Sequence, residues 1–116
     1  MTESRSRVRT ETIDVPRADQ WTLHHVLLDR LEREADREVP SPLPPALVEA
    51  NRAFETLDAG GRTFTLPQLH AIRAVVGEYV HSPAWEDERE GLERIHSRLG
   101  ASLERQRNRT PREGYP

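Results

Sequence analysis

The chain contains no cysteine and no lysine. Without cysteine there is no disulfide, no thiolate metal site and no cysteine nucleophile. Long apolar runs are also missing: nothing approaches the roughly 18 residues of a membrane-spanning helix. The opening "MTESRSRVRT" has no apolar stretch of the secretory kind. The cytoplasm is therefore the expected location, and the acceptor-like "NRT" at Asn108 reads as coincidence. Familiar catalytic patterns are absent as well. "AGGRT" (Ala59 to Thr63) lacks the lysine of a phosphate-binding loop, and neither a nucleophile elbow nor an HExxH motif occurs. The expectation is a protein that is not an enzyme and carries no cofactor or metal. At 116 residues, 34% of them hydrophobic, the chain has enough material for one small domain with a lean core.

All 17 basic residues are arginine, set against 20 acids. Their distribution matters more than the net charge of -3. Arg5, Arg7 and Arg9 at one end, with Arg105, Arg107, Arg109 and Arg112 at the other, give the two ends a net +5, whereas residues 11–104 carry -8. The pattern is an acidic body with two basic arms. Residues 1–10 are expected to be a disordered arm, 11–104 a single helical domain, and 105–116 a disordered basic tail.

Four amphipathic helices follow from the apolar spacing. The first is predicted from about Pro16 to Arg37, with Asp14 as its N-cap and Trp21, Leu23, His24, Leu27, Leu28, Leu31 and Ala35 on one face. "VPSPLPP" (Val39 to Pro45) ends it, because proline cannot continue a helix. The second runs from about Pro45 to Asp58 and stops at Gly60–Gly61. The third runs from about Leu66 to His81, opened by a capping box of Thr65 and Gln68. The fourth runs from about Pro83 to Gln106, with Ser82 as cap and Glu86, Asp87 and Glu88 favouring the positive end of its dipole. Gly91 and Gly100 interrupt its stripe at about 1 kcal/mol each, which either permits close packing or is simply tolerated. The fold class is thus mainly α, a four-helix bundle-like domain. Its expected core is Trp21, Leu27, Leu28, Leu31, Phe54, Leu57, Leu69, Ile72, Val76, Tyr79, Leu92, Ile95 and Leu99. The third and fourth helices should form an antiparallel hairpin across Ser82–Pro83.

"TIDVP" (Thr12 to Pro16) and "TFTLP" (Thr63 to Pro67) each place a short extended piece before a helix. The two pieces, about Thr10–Asp14 and Arg62–Thr65, are able to pair as a two-stranded ribbon if helices support it. The stretches "IDVPRADQWTLHHVLLDRLE" and "TFTLPQLHAIRAVVGEYV", together with the missing lysine and cysteine and the acidic body, resemble small uncharacterised proteins of halophilic archaea. The resemblance covers about residues 10–104. It implies no chemistry and no site residues.

Adjacent histidines, His24 and His25, sit inside the first apolar stripe. Neighbouring helical residues do not face each other, so the two rings cannot converge on one metal. The expectation is a buried neutral His24 hydrogen-bonded to another helix, with His25 as a surface partner of Asp29. "EYVH" (Glu78 to His81) and "ERIH" (Glu93 to His96) share the Glu-x-x-His spacing of di-iron bundles, but their residues fall off the apolar stripes. The back of the third helix aligns His70, Ala74, Gly77 and His81, where small residues flanked by imidazoles suit either a solvated face or a second interface. The arginines of the arms match phosphate oxygens in geometry. The leading expectation is a small cytoplasmic interaction or regulatory module, binding a protein partner or forming a homodimer through His70, Gly77 and His81, with no membrane partner. The alternative is a nucleic-acid- or ribosome-associated accessory that uses Arg105, Arg107, Arg109 and Arg112.

Overall fold

The computed structural model describes residues 9–36 and 44–109, with Arg109 described in its backbone only. In chain order the elements are β1 (Thr10–Thr12), α1 (Arg17–Ala35), α2 (Pro45–Asp58), β2 (Thr63–Thr65), α3 (Leu66–Val80), a 3-10 helix (Pro83–Glu88) and α4 (Arg89–Arg109). The expected ribbon is present. β1 and β2 pair antiparallel with Thr10 opposite Thr65, and the Ile13 amide donates to the Arg62 carbonyl at 2.9 Å. Two strands this short need support, and Phe64 supplies it by burying itself among the helices.

α3 is the central helix, packed on α4, α2 and α1. Its start follows the sequence closely. The Gln68 amide donates to Thr65 Oγ1 at 3.3 Å, and Gln68 Oε1 accepts from the Thr65 amide at 3.0 Å, so two otherwise unpaired donors are satisfied reciprocally. α2 also has the expected bounds, and Gly60, at φ 94°, turns the chain away from its end.

Two other helix starts differ from expectation. Asp14 does not cap α1. Ile13 and Val15 alternate into the core, which turns Asp14 outward, and the Gln20 side chain donates back to the Val15 carbonyl at 3.0 Å. Ser82 makes no side-chain cap either. The predicted single fourth helix is broken at Trp85 (φ -117°, ψ 28°), where the indole turns in to meet the Tyr79 ring edge-on at 5.3 Å. α4 then continues through Arg109, so residues 105–109, where the tail was expected to begin, are helical. Arg112 and the rest of the tail lie outside the described residues, as do Arg5 and Arg7.

The core holds the predicted Leu27, Leu69, Ile72, Val76, Tyr79, Leu92, Ile95 and Leu99, with Phe54 and Leu57 packed partly against it. Trp21 is a correction: it is 56% exposed. Leu28 and Leu31 are only half-buried. The inward face of α1 is instead formed by Asp19, Leu23, Val26 and Leu27, about a third of a turn from the one the apolar pattern suggests. An ion pair between distant residues accompanies this facing. Asp19 is 2% exposed, and its carboxylate accepts from Arg94 Nε at 3.0 Å and from an Arg94 terminal nitrogen at 2.9 Å. A buried carboxylate needs such a partner, and with this one seated Trp21 faces outward.

Candidate functional site

The glycines of α3 and α4 set the geometry between the two helices. A Cβ on Gly77 would lie 3.5 Å from His96 Nε2, and one on Gly100 would lie 3.2 Å from an Arg73 guanidinium nitrogen. Gly77 therefore faces His96 while Gly100 faces Arg73, a register that makes the pair antiparallel. Each glycine leaves room for a polar side chain of the other helix. Gly91 does the same for Asp19, at 3.2 Å from its Oδ1. At Gly91 and Gly100, where a Cβ would press on a polar side chain at 3.2 Å, the helical propensity lost is the cost of admitting charged groups to the helix contact; at Gly77 a methyl would meet His96 at an ordinary distance.

The seam opens outward as a groove with two adjoining hollows of about 530 Å³ and 300 Å³ that share Arg73 and Gly100. Gly77, His81, Glu93 and His96 line the larger one. His70 and Arg107 line the smaller. The back of α3 is thus one wall of a cleft. Ala74 is exposed but does not line it. The Arg89 side chain donates to the Val80 carbonyl at 3.0 Å and fixes the end of α3 beside the larger hollow.

Arg73 is exposed and makes no ion pair or hydrogen bond among the described residues. Its charge is felt nearby. The His96 imidazole is held below its ordinary 6.5, first by burial and then by the positive charges of Arg73 and His81. The Arg73 guanidinium thus opposes a positive charge on the imidazole beside it. Glu93 is the acid at the edge of the larger hollow. Glu78, from the other Glu-x-x-His pair, turns instead to Arg30, 3.4 Å away. Among the described residues, no group of three or more histidines and carboxylates is placed to hold a metal ion.

The arginines of the C-terminal arm are partly engaged. Glu11 of β1 accepts hydrogen bonds from Ser102, Arg105 and Gln106. Its carboxyl is held below the ordinary 4.5, chiefly by the Gln106 bond, with Ser102 and Arg105 adding to it and burial opposing. Arg107 donates twice to Glu104, at 2.8 and 3.0 Å.

The histidine pair divides. His24 Nε2 lies 3.0 Å from Asp58 Oδ1 on α2, and its ring packs on Phe54 at 4.7 Å, so the expected bond to another helix exists, with the ring half-buried rather than buried. His25 is exposed, and its expected partner Asp29 is taken by the Tyr79 hydroxyl, which donates to it at 2.6 Å and accepts from Arg33 at 3.0 Å. Burial, followed by the bond to Asp29, pushes the Tyr79 phenol up to about 12.

The spacing of His70, Gly77 and His81 identified one wall of the groove. Arg73 and His96 were missed. Arg73 lies within the same spacing, three residues after His70 and four before Gly77, and that was a usable signal. His96 was visible only as half of a Glu-x-x-His pair, because its place depends on the α3–α4 register. A family model, DUF7853, described as a family of unknown function, matches residues 13–100. Comparisons with curated proteins and with solved structures gave no match.

Proposed function

The chain belongs to the DUF7853 family of unknown function, and from the geometry of its groove we propose that it is a non-catalytic, cytoplasmic interaction module that seats a segment of a partner protein between α3 and α4. In this reading a carboxylate of the partner meets the Arg73 guanidinium, and small or apolar side chains rest against Gly77, Val80 and Gly100. The observation that carries it is Arg73, without a partner among the described residues, at the junction of two hollows in a glycine-lined seam. An arginine fork matches a carboxylate with two parallel hydrogen bonds, which gives direction as well as attraction. The lysine-free, acid-rich body supports a haloarchaeal source for this family member. In concentrated salt such a directional contact retains more value than long-range charge.

The nucleic-acid reading draws less support, since Arg105 is engaged by Glu11 and Arg107 by Glu104. Affinity capture from native lysate, with and without nuclease and at low and high salt, separates the two. The module is expected to retain one protein partner through nuclease and high salt. Partners lost with nuclease, and lost again on Arg105→Gln with Arg107→Gln, would instead establish phosphate binding by the arm, whose affinity falls steeply with salt. Recovery of only a second copy of the chain would make the groove a homodimer surface.

A further inference from the structure

Trp21 is the large hydrophobic side chain that the described structure leaves exposed, at 56%. Beside it, on the side of the molecule formed by α1 and the end of α2, is a pocket of about 210 Å³. Arg17, Trp21 and His24 contribute from α1, Asp58 from α2, and Gly60 and Gly61 from the turn that follows. The wall is preorganised. His24 is fixed between Asp58 at 3.0 Å and Phe54 at 4.7 Å, and it meets the Trp21 ring edge-on at 5.8 Å. Gly60 has a positive φ of 94°, and a Cβ on Gly61 would fall 2.9 Å from Thr56 Cγ2. This turn therefore carries no side chains, and it borders the pocket with bare backbone.

Three chemical features converge there. The Trp21 indole is 56% exposed and already has one flat neighbour, His25, tilted 31° to it at 6.0 Å. Arg17 is exposed and unpaired among the described residues. Asp58 gives one oxygen to His24 but remains 65% exposed, with its other oxygen unengaged among the described residues. A flat ring suits the indole, a hydrogen-bond donor on that ring suits Asp58, and an anion suits Arg17. The volume takes one base and leaves sugar and phosphate on the rim.

We propose that this pocket binds a mononucleotide with an amino-bearing base, stacked on Trp21, its exocyclic amine donating to Asp58 and its phosphate on Arg17. The site is separate from the α3–α4 groove and stands or falls independently of it.

The test uses the full chain and cytidine 5′-monophosphate, with uridine 5′-monophosphate and cytidine as comparisons. In ¹H–¹⁵N spectra the indole N–H of Trp21 should shift saturably below about 5 mM ligand, while that of Trp85, packed on Tyr79, stays in place. Base stacking predicts a roughly 5- to 150-fold loss of affinity for Trp21→Ala. Arg17→Gln should remove the advantage of the monophosphate over cytidine, and uridine monophosphate should bind more weakly than its cytidine counterpart. Both replaced side chains are exposed, so thermal unfolding of the variants should match the parent. The absence of a saturable Trp21 shift, or unchanged binding in both variants, would overturn the proposal.

Discussion

Leu27 and Leu28 are adjacent and equally hydrophobic, yet Leu27 is fully buried and Leu28 is half-exposed. Truncation to alanine should cost about 2–5 kcal/mol at Leu27 and half that or less at Leu28, read from urea denaturation. Equal losses would mean that α1 is turned differently about its axis. His96 offers a test by titration. Its imidazole is held below 6.5 in the folded protein, so the unfolded chain takes up the proton first. Stability is therefore full above about pH 6.5 and declines as the pH falls toward the folded midpoint. Around the ring lie Arg73 from α3, His81 just past the end of α3, and Glu93 from α4. Arg73→Gln removes one positive charge and should move the His96 midpoint, followed by NMR, back toward 6.5, leaving the part due to burial and His81. An unmoved midpoint would place Arg73 too far away to shape the groove.

The helices themselves can be probed through their glycines. Replacing a mid-helix glycine by alanine normally stabilises by up to about 1 kcal/mol. Gly77→Ala should gain most of that, because the new methyl reaches His96 only at 3.5 Å, an ordinary contact. Gly91→Ala should gain nothing or lose stability, because the methyl meets Asp19 Oδ1 at 3.2 Å and that same oxygen is held by an Arg94 terminal nitrogen at 2.9 Å. Thermal unfolding of the two variants checks the contrast, and equal gains would contradict it. The same contrast explains what the sequence made legible. The ends of α2 and the Thr65–Gln68 box could be read because their signals lie within a few residues of one another, and the two pieces of the ribbon because each precedes a helix-opening proline, although their pairing spans Thr10 to Thr65. The facing of α1 could not, because it goes with Asp19 meeting Arg94, 75 positions away. An apolar stripe gives most weight to a tryptophan, whereas the fold seats a carboxylate.

Across the whole molecule, the sequence divides charge between an acidic body and basic arms, and the fold partly joins them. Glu11, at the edge of the body, is bound by Ser102, Arg105 and Gln106 of α4, which draws the start of the C-terminal arm onto the ribbon. What remains open is the opposite resource, an Arg73 unpaired among the described residues, in a cleft bordered by three imidazoles. One wall of that cleft was legible from helix spacing, while the other needed the antiparallel register of α3 and α4. The central claim is that this cleft is the surface through which the protein works. Capture from native lysate with the parent chain and with Arg73→Glu tests it most directly, because Arg73 is exposed and its replacement leaves the core intact. The parent should retain a protein partner through nuclease and high salt, and Arg73→Glu should lose it. Retention of the same partner by both would contradict the assignment of the groove.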